Sequence, residues 1–166
     1  MKLFLKYPYL LCSLLSFGQV TITPNPFEVD QSITITVDAN STATTCNGFS
    51  NPSKVYLHSG IGTDSNPWDY SVVGNWGQDD GVGEMSNNGD GTWSISFVPE
   101  TYYNLTAAQA QNAIKMGMVF RNEDGSKELK NYGCTDFYFD VGTFQVSLSN
   151  PDQNSTTILN SGDDLS

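Results

Sequence analysis

Short runs of alternating apolar and polar residues are the feature of this sequence that most limits its fold. Ser32-Ile-Thr-Ile-Thr-Val37 alternates along its whole length, and Thr92-Trp-Ser-Ile-Ser-Phe-Val98 repeats the pattern. β-branched and aromatic residues at a period of two are typical of half-buried strands. Similar runs begin at Lys54, Ile114 and Asp136, and turn-rich segments join them. This arrangement predicts an all-β, immunoglobulin-like antiparallel β-sandwich.

The alternation also predicts which side chains form the core. The inward-facing members are Ile33, Ile35, Val37, Val55, Leu57, Trp93, Ile95, Phe97, Ile114, Met116, Met118, Phe120, Phe137, Phe139 and Val141. The methionines fit this set as flexible core filler better than as cofactor ligands. One short inserted helix is expected, because Thr106 and Gln109 match a capping box and good helix formers follow.

A long loop between two predicted strands, Gly60 to Asn88, is the candidate functional region. It is too polar for a core and too aromatic for a plain linker. A sugar ring has an apolar face that packs on Trp or Tyr and hydroxyls that bond to Asp, Asn or Gln. The loop therefore predicts a glycan-binding site formed by Trp68, Tyr70, Trp76, Gln78, Asp79 and Asp80. The alternative is that these rings fold back onto the sandwich and hold the loop in place.

The first 18 residues have the pattern of a cleaved export signal. Lys2 and Lys6 form a basic start, Tyr9–Leu15 is an apolar stretch too short to span a bilayer, and Ser16-Phe-Gly18 supplies the small residues of a cleavage site. The mature chain would begin at Gln19 and be secreted or held at the cell surface, without membrane insertion. A buried N-terminal strand is the competing interpretation.

Charge and composition limit the classes of binding partner that the sequence predicts. Charged residues make up only 15% of the chain, as is typical of secreted β proteins, and after residue 18 there are five basic and 18 acidic residues. Because phosphate binding needs clustered Lys and Arg, nucleic acid is not an expected partner. An anionic membrane surface is disfavoured for the same reason.

Removal of the signal leaves two cysteines, Cys46 and Cys134. An even number in an exported protein favours a disulfide between them. Closing a loop of roughly ninety residues would contribute about 4 kcal/mol through chain entropy. Two buried thiols are the alternative. Two distant cysteines and a single histidine are too few for a zinc site.

A second domain is expected to begin near the C-terminus. Gly142 follows the sandwich, residues 19–141, and Thr143-Phe-Gln-Val-Ser-Leu148 then alternates again. This run has no strand to pair with in the residues after it, so residues 143–166 are predicted to start a second, incomplete β domain of a multidomain protein. A disordered tail is the alternative.

Several motifs together resemble a known type of domain: Val55-Tyr-Leu-His-Ser-Gly-Ile61, Asn75-Trp-Gly77, Gly91-Thr-Trp-Ser-Ile95 and Met118-Val-Phe-Arg-Asn-Glu-Asp-Gly-Ser126. Over residues 20–141 the chain is similar to immunoglobulin-like (E-set) accessory domains of exported proteins from Bacteroidetes-type bacteria. Such domains occur beside α-amylase-family hydrolases, in starch-binding surface proteins and in proteins exported by type IX secretion. The resemblance implies an accessory role in extracellular polysaccharide use, with neighbouring domains of the same polypeptide as partners.

The favoured function is therefore non-catalytic: binding or positioning starch-like or other glucans. A structural spacer is the first alternative, and an N-terminal fragment of a secreted glycoside hydrolase with its catalytic domain downstream is the second. Asp79 and Asp80 make a poor catalytic pair, because hydrolysis needs two carboxyls facing one bond. No cofactor is expected. Calcium is a weaker candidate, with oxygen ligands from Asp64, Asn66 and Asp69 or from Asp79, Asp80 and Glu84.

Overall fold

The computed structural model describes residues 19–40, 48–49 and 51–142. Within them, nine strands form two antiparallel sheets and two short helices form an insertion. The strands are β1 Val20–Thr23, β2 Ile33–Asp38, β3 Tyr56–Gly62, β4 Ser71–Val73, β5 Ser86–Asn87, β6 Thr92–Phe97, β7 Lys115–Arg121, β8 Glu128–Leu129 and β9 Phe137–Asp140. The helices are α1 Pro99–Tyr102 and α2 Ala107–Asn112, and a 3₁₀ turn, Tyr132–Cys134, precedes β9.

The two sheets have simple antiparallel orders. The first sheet has four strands in the order β1-β2-β6-β5. The second has five, in the order β4-β3-β7-β8, with β9 also paired to β7. The predicted all-β, immunoglobulin-like class, an antiparallel sandwich with a short helical insertion, is confirmed. β5 and β6 form a hairpin, in which Asn87 lies opposite Trp93.

The core lies between the sheets, as the alternating pattern predicted. Ile33, Ile35 and Val37 of the first sheet are fully buried, and one contiguous cluster joins them to the inward residues of the second sheet. Trp93 is 6% exposed and belongs to this cluster, as do Met116 and Met118. Full burial of each large aliphatic side chain contributes about 2 kcal/mol, so this layer fixes the register of both sheets.

The helical insertion connects the two sheets between β6 and β7. The predicted capping box is present: the Thr106 side chain accepts from the Gln109 backbone N–H, and the Gln109 side chain accepts from the Thr106 backbone N–H. Pro99, two residues after the end of β6, begins α1, where its missing N–H costs no helical hydrogen bond.

Alternation failed at several positions, including Val119 of the outer face, which is only 4% exposed. Ile114 was predicted to face the core but is 47% exposed, because β7 begins one residue later. Tyr56 and Arg121 belong to the face opposite the core, where they lie side by side across β3 and β7. Both are nevertheless fully buried, because the loop between β4 and β5 folds over them.

Some predictions fall outside the described residues. These are the export signal, residues 1–18, the second domain, residues 143–166, and Cys46. The Cys46–Cys134 disulfide therefore stays a prediction. Among the residues that the structure describes, no helix has the length and apolar character needed to cross a membrane.

Candidate functional site

The outer face of the second sheet carries a row of residues with two glycines at its centre. Gly60 of β3 lies directly opposite Gly117 of β7, Val72 of β4 lies opposite Gly60, and Tyr138 of β9 lies opposite Gly117. Directly paired residues of antiparallel strands point to the same face. Val72, Gly60, Gly117 and Tyr138 therefore form one line across four strands, which we call the glycine row.

The indole of Trp68 lies over the two glycines. A Cβ atom on Gly60 would stand 2.6 Å from Trp68 Cε3, and one on Gly117 would stand 2.9 Å from Trp68 Nε1. Only glycine at both positions leaves room for the ring to rest on the sheet. Trp68 is held there by a tight turn, in which its N–H donates to Asn66 Oδ1 at 3.2 Å.

Two further rings stand beside Trp68. The His58 imidazole stacks on Trp68 with ring centres 5.6 Å apart, and it meets Trp76 edge-on at 5.4 Å. We call Trp68, His58 and Trp76 the ring cluster. Trp76 is 45% exposed, so the cluster presents apolar surface to solvent rather than closing into the core. Gly125 supports Trp76 from below, since a Cβ there would stand 2.8 Å from its Nε1.

His58 has a defined protonation state in this cluster. Its Nδ1 lies 2.9 Å from the carbonyl oxygen of Gly74, and because a carbonyl can only accept, Nδ1 carries the proton. Burial lowers the pKa of His58, and repulsion from Arg121 adds to this effect, whereas the bond to Gly74 and the charge of Asp136 oppose it. The ring is therefore neutral at pH 7.

Arg121 anchors the turn that carries Trp76. Its guanidinium lies 4.4 Å from the centre of the Tyr56 ring. It donates to the carbonyl oxygens of Asn75 and Gln78 at 2.7 and 2.9 Å. It also donates to the carbonyl oxygens of Asn122 and Glu123 at 2.9 and 3.2 Å. One buried side chain thus fixes two loops, and Trp76 stands where they meet.

The two predicted carboxylates stabilise the loop itself. Asp79 accepts from Lys54 Nζ at 2.7 Å and from the Tyr56 hydroxyl, and the Lys54 bond is the main reason that the pKa of Asp79 is lowered. Asp80 accepts from Asn75 Nδ2 at 2.6 Å and from the Val82 N–H, which lowers its pKa. Both carboxylates are therefore already committed to hydrogen bonds within the protein.

The remaining two predicted residues divide between loop and core. Gln78 is exposed and lies in the anchored turn. Tyr70 is half-buried and packs against the core, with its hydroxyl 3.5 Å from the carbonyl oxygen of Asn112. Of the six residues predicted to bind glycan, the structure brings Trp68 and Trp76 together on one face through His58, with Gln78 nearby in the chain.

Sequence reasoning missed His58, Tyr138 and Arg121 as parts of this region. Alternation did place Tyr138 outward, and it is 49% exposed. No local signal indicated that it would share a row with Trp68, because that relation depends on the pairing of β7 with both β3 and β9. The alternating pattern placed Arg121 on the outer face, as it does any exposed strand residue, and so gave no sign that Arg121 would be buried.

The acidic residues considered for calcium have other partners. Asp64 lies 2.8 Å from Lys115 Nζ, which also contacts Asp140 at 2.9 Å, and Asp79 is paired with Lys54. Within residues 19–40, 48–49 and 51–142, no group of three or more His, Cys, Asp or Glu side chains stands close enough together to hold a metal ion.

Residues 20–129 match a protein family described as a domain of unknown function, DUF8578. The chain belongs to the DUF8578 family. The match runs from β1 to β8, so in this DUF8578 domain it includes the whole ring cluster and Arg121, while Tyr138 lies beyond it. No curated protein matches the sequence.

Proposed function

We propose that this DUF8578 domain is a non-catalytic module that binds extracellular polysaccharide through the outer face of its second sheet. The observation that carries the proposal is the ring cluster, in which Trp68 rests on Gly60 and Gly117, which we call the glycine floor, and Trp76 is 45% exposed. An exposed indole beside other rings offers flat apolar surface, and the C–H face of a sugar is a partner that packs on such a surface.

Charge supports a neutral glycan. The chain has a formal net charge of −11, which disfavours anionic polymers, and the members of the ring cluster are uncharged at pH 7. Starch-like and other neutral glucans fit this surface. The proposal gives the nearby carboxylates a structural role, which is supported by the hydrogen bonds that Asp79 and Asp80 accept from Lys54 and Asn75. Any hydrolase activity would belong to another domain of the same polypeptide.

The proposal includes export. A cleaved signal over residues 1–18 would place the domain outside the cell, where polysaccharide is available. Intact-mass measurement of the protein recovered from the culture medium or the cell surface tests this, with a mature chain beginning at Gln19 as the expected result. A protein that keeps residues 1–18 would contradict it.

A purely structural spacer is the competing function, and one observation favours it. Asp79, Asp80 and Tyr70, half of the residues predicted to bind glycan, hold the loop in place instead. A spacer needs the loop to be ordered but does not need its rings to be exposed.

Affinity electrophoresis of the full chain in gels containing starch or laminarin separates the two functions. We expect retardation that is lost in Trp68→Ala and Trp76→Ala. Tyr132→Ala is the matched control, because Tyr132 is 88% exposed but lies in the 3₁₀ turn before β9 and is not one of the residues of the ring cluster or the glycine row. Circular dichroism would confirm that each variant is folded. A wild-type chain that no glucan retards would leave only the spacer.

A further inference from the structure

The glycine row has open ends. Val72 lies on β4, which pairs only with β3 among the described strands, and Tyr138 lies on β9, which pairs only with β7. Val72 is 47% exposed and Tyr138 is 49% exposed. Together with Trp68, which lies over Gly60 and Gly117 between them, these two residues span three strand spacings across the sheet, about 14 Å. That is longer than a single sugar ring.

The row is bounded on both of its long sides. Two residues before Gly60 on β3 is His58, with Trp76 edge-on beside it. Two residues before Gly117 on β7 is Lys115, whose ammonium is neutralised by Asp64 and Asp140 at 2.8 and 2.9 Å. A ligand on the row therefore has rings along one flank and paired hydrogen-bonding groups along the other, and it can extend only towards the two sheet edges.

From this geometry we infer that the row binds the interior of a single long, neutral polysaccharide chain that crosses the strands from Val72 over Trp68 to Tyr138. A site for a chain end or a small sugar needs a wall that closes one end, and within residues 19–40, 48–49 and 51–142 no further strand pairs with β4 or β9 to form one. The inference rests on the proposed function and adds the class of ligand, an internal chain segment, and two contact residues, Val72 and Tyr138.

Competition experiments with the full chain test the inference. Starch and laminarin gels report binding, and maltose, maltoheptaose, laminaribiose and laminariheptaose are the soluble competitors. We expect the heptasaccharide of the retained glucan to compete at a concentration at least about tenfold lower than its disaccharide, because only the longer chain covers all three contacts. Reduction of the heptasaccharide end with borohydride should leave its potency unchanged, since the site does not contact the end.

Tyr138→Ala and Val72→Ala sharpen the test. Each should weaken competition by the heptasaccharide severalfold while leaving the weak disaccharide value unchanged, and Tyr132→Ala should change neither. Disaccharides as potent as heptasaccharides, or a Tyr138→Ala chain indistinguishable from Tyr132→Ala, would overturn the inference. If retention is still lost in Trp68→Ala, the proposed function survives that result. No retention of the wild-type chain by either glucan would overturn both.

Discussion

The two outer faces of this sandwich are built in opposite ways. The first sheet presents hydroxyls in register across its strands: Thr21 lies opposite Thr36, Thr36 opposite Ser94, and Ser94 opposite Ser86. The second sheet presents glycines under a tryptophan that comes from a loop. One face is complete with the side chains of its own strands, whereas the other is completed by residues from elsewhere in the chain.

This difference teaches where function can be placed on such a scaffold. A face of β-branched and hydroxyl side chains is satisfied by water and by bonds such as Thr34 Oγ1 to Ser96 Oγ at 2.8 Å, and it asks for no partner. A glycine floor gives up strand stability so that a ring can lie close to the backbone. This loss of strand stability is explained if the loop must be held rigidly, and here the loop carries Trp68 and Trp76.

The largest effect in the comparison should come from Arg121, because the aromatic face depends on it. Arg121→Met keeps the volume but removes four hydrogen bonds to loop carbonyls, so we expect a loss of about 3 kcal/mol in the free energy of unfolding. Denaturant titration measures this. Lys54→Ala, which removes an exposed ion pair to the same loop, is the control and should cost clearly less. Equal losses would mean that Arg121 does not anchor the loop.

The glycine floor gives the next effect. Gly117→Ala should cost about 2 kcal/mol, because its Cβ would meet the Trp68 indole at 2.9 Å. The same substitution in a Trp68→Ala background should cost nothing, since the clash is gone, and alanine is better than glycine in a strand. Unfolding measurements on the single and double variants give this coupling. A cost that persists without Trp68 would contradict the claim that Gly117 is needed to make room for the Trp68 ring.

These two predictions also mark what the sequence could and could not provide. Alternation located β2, β6, β7 and β9 and the core with Trp93, and the Thr106–Gln109 motif located the capping box, because each of these depends on neighbours in the chain. The loop aromatics were recognised by composition. Their floor was not, because Gly60 and Gly117 become a pair only through the register of β3 and β7. Asp79 and Asp80 looked like ligand residues because sequence does not reveal that Lys54 and Asn75 already bind them.

A smaller effect should appear with pH, and only on the aromatic side. His58 is the sole histidine, and burial lowers its pKa in the folded state. Below its ordinary pKa of about 6.5, the unfolded chain binds the proton more readily, so stability should fall as pH drops from 7.5 towards 5.5. His58→Gln should flatten this part of the profile, as measured by the melting temperature. A profile unchanged by the substitution would show that protonation of His58 does not cause this loss of stability.

The smallest effect belongs to the hydroxyl face. Thr36→Val replaces one hydroxyl in the row between Thr21 and Ser94 with a methyl group, and we expect a change within about 0.5 kcal/mol and no change in glucan retention. Denaturant titration and affinity electrophoresis check both. If Thr36→Val abolished retention while Trp76→Ala did not, the glucan would have to bind the outer face of the first sheet instead of the second.

The three tryptophans allow the central claim to be tested in one measurement. Trp68 and Trp76 lie on the aromatic face, and Trp93 is buried in the core as an internal reference. In a ¹⁵N NMR titration of the full chain with maltoheptaose and with laminariheptaose, we predict that one of them shifts the indole N–H signals of Trp68 and Trp76 while the Trp93 signal stays in place. Unchanged Trp68 and Trp76 signals with both glucans would contradict the claim that this face binds a neutral polysaccharide.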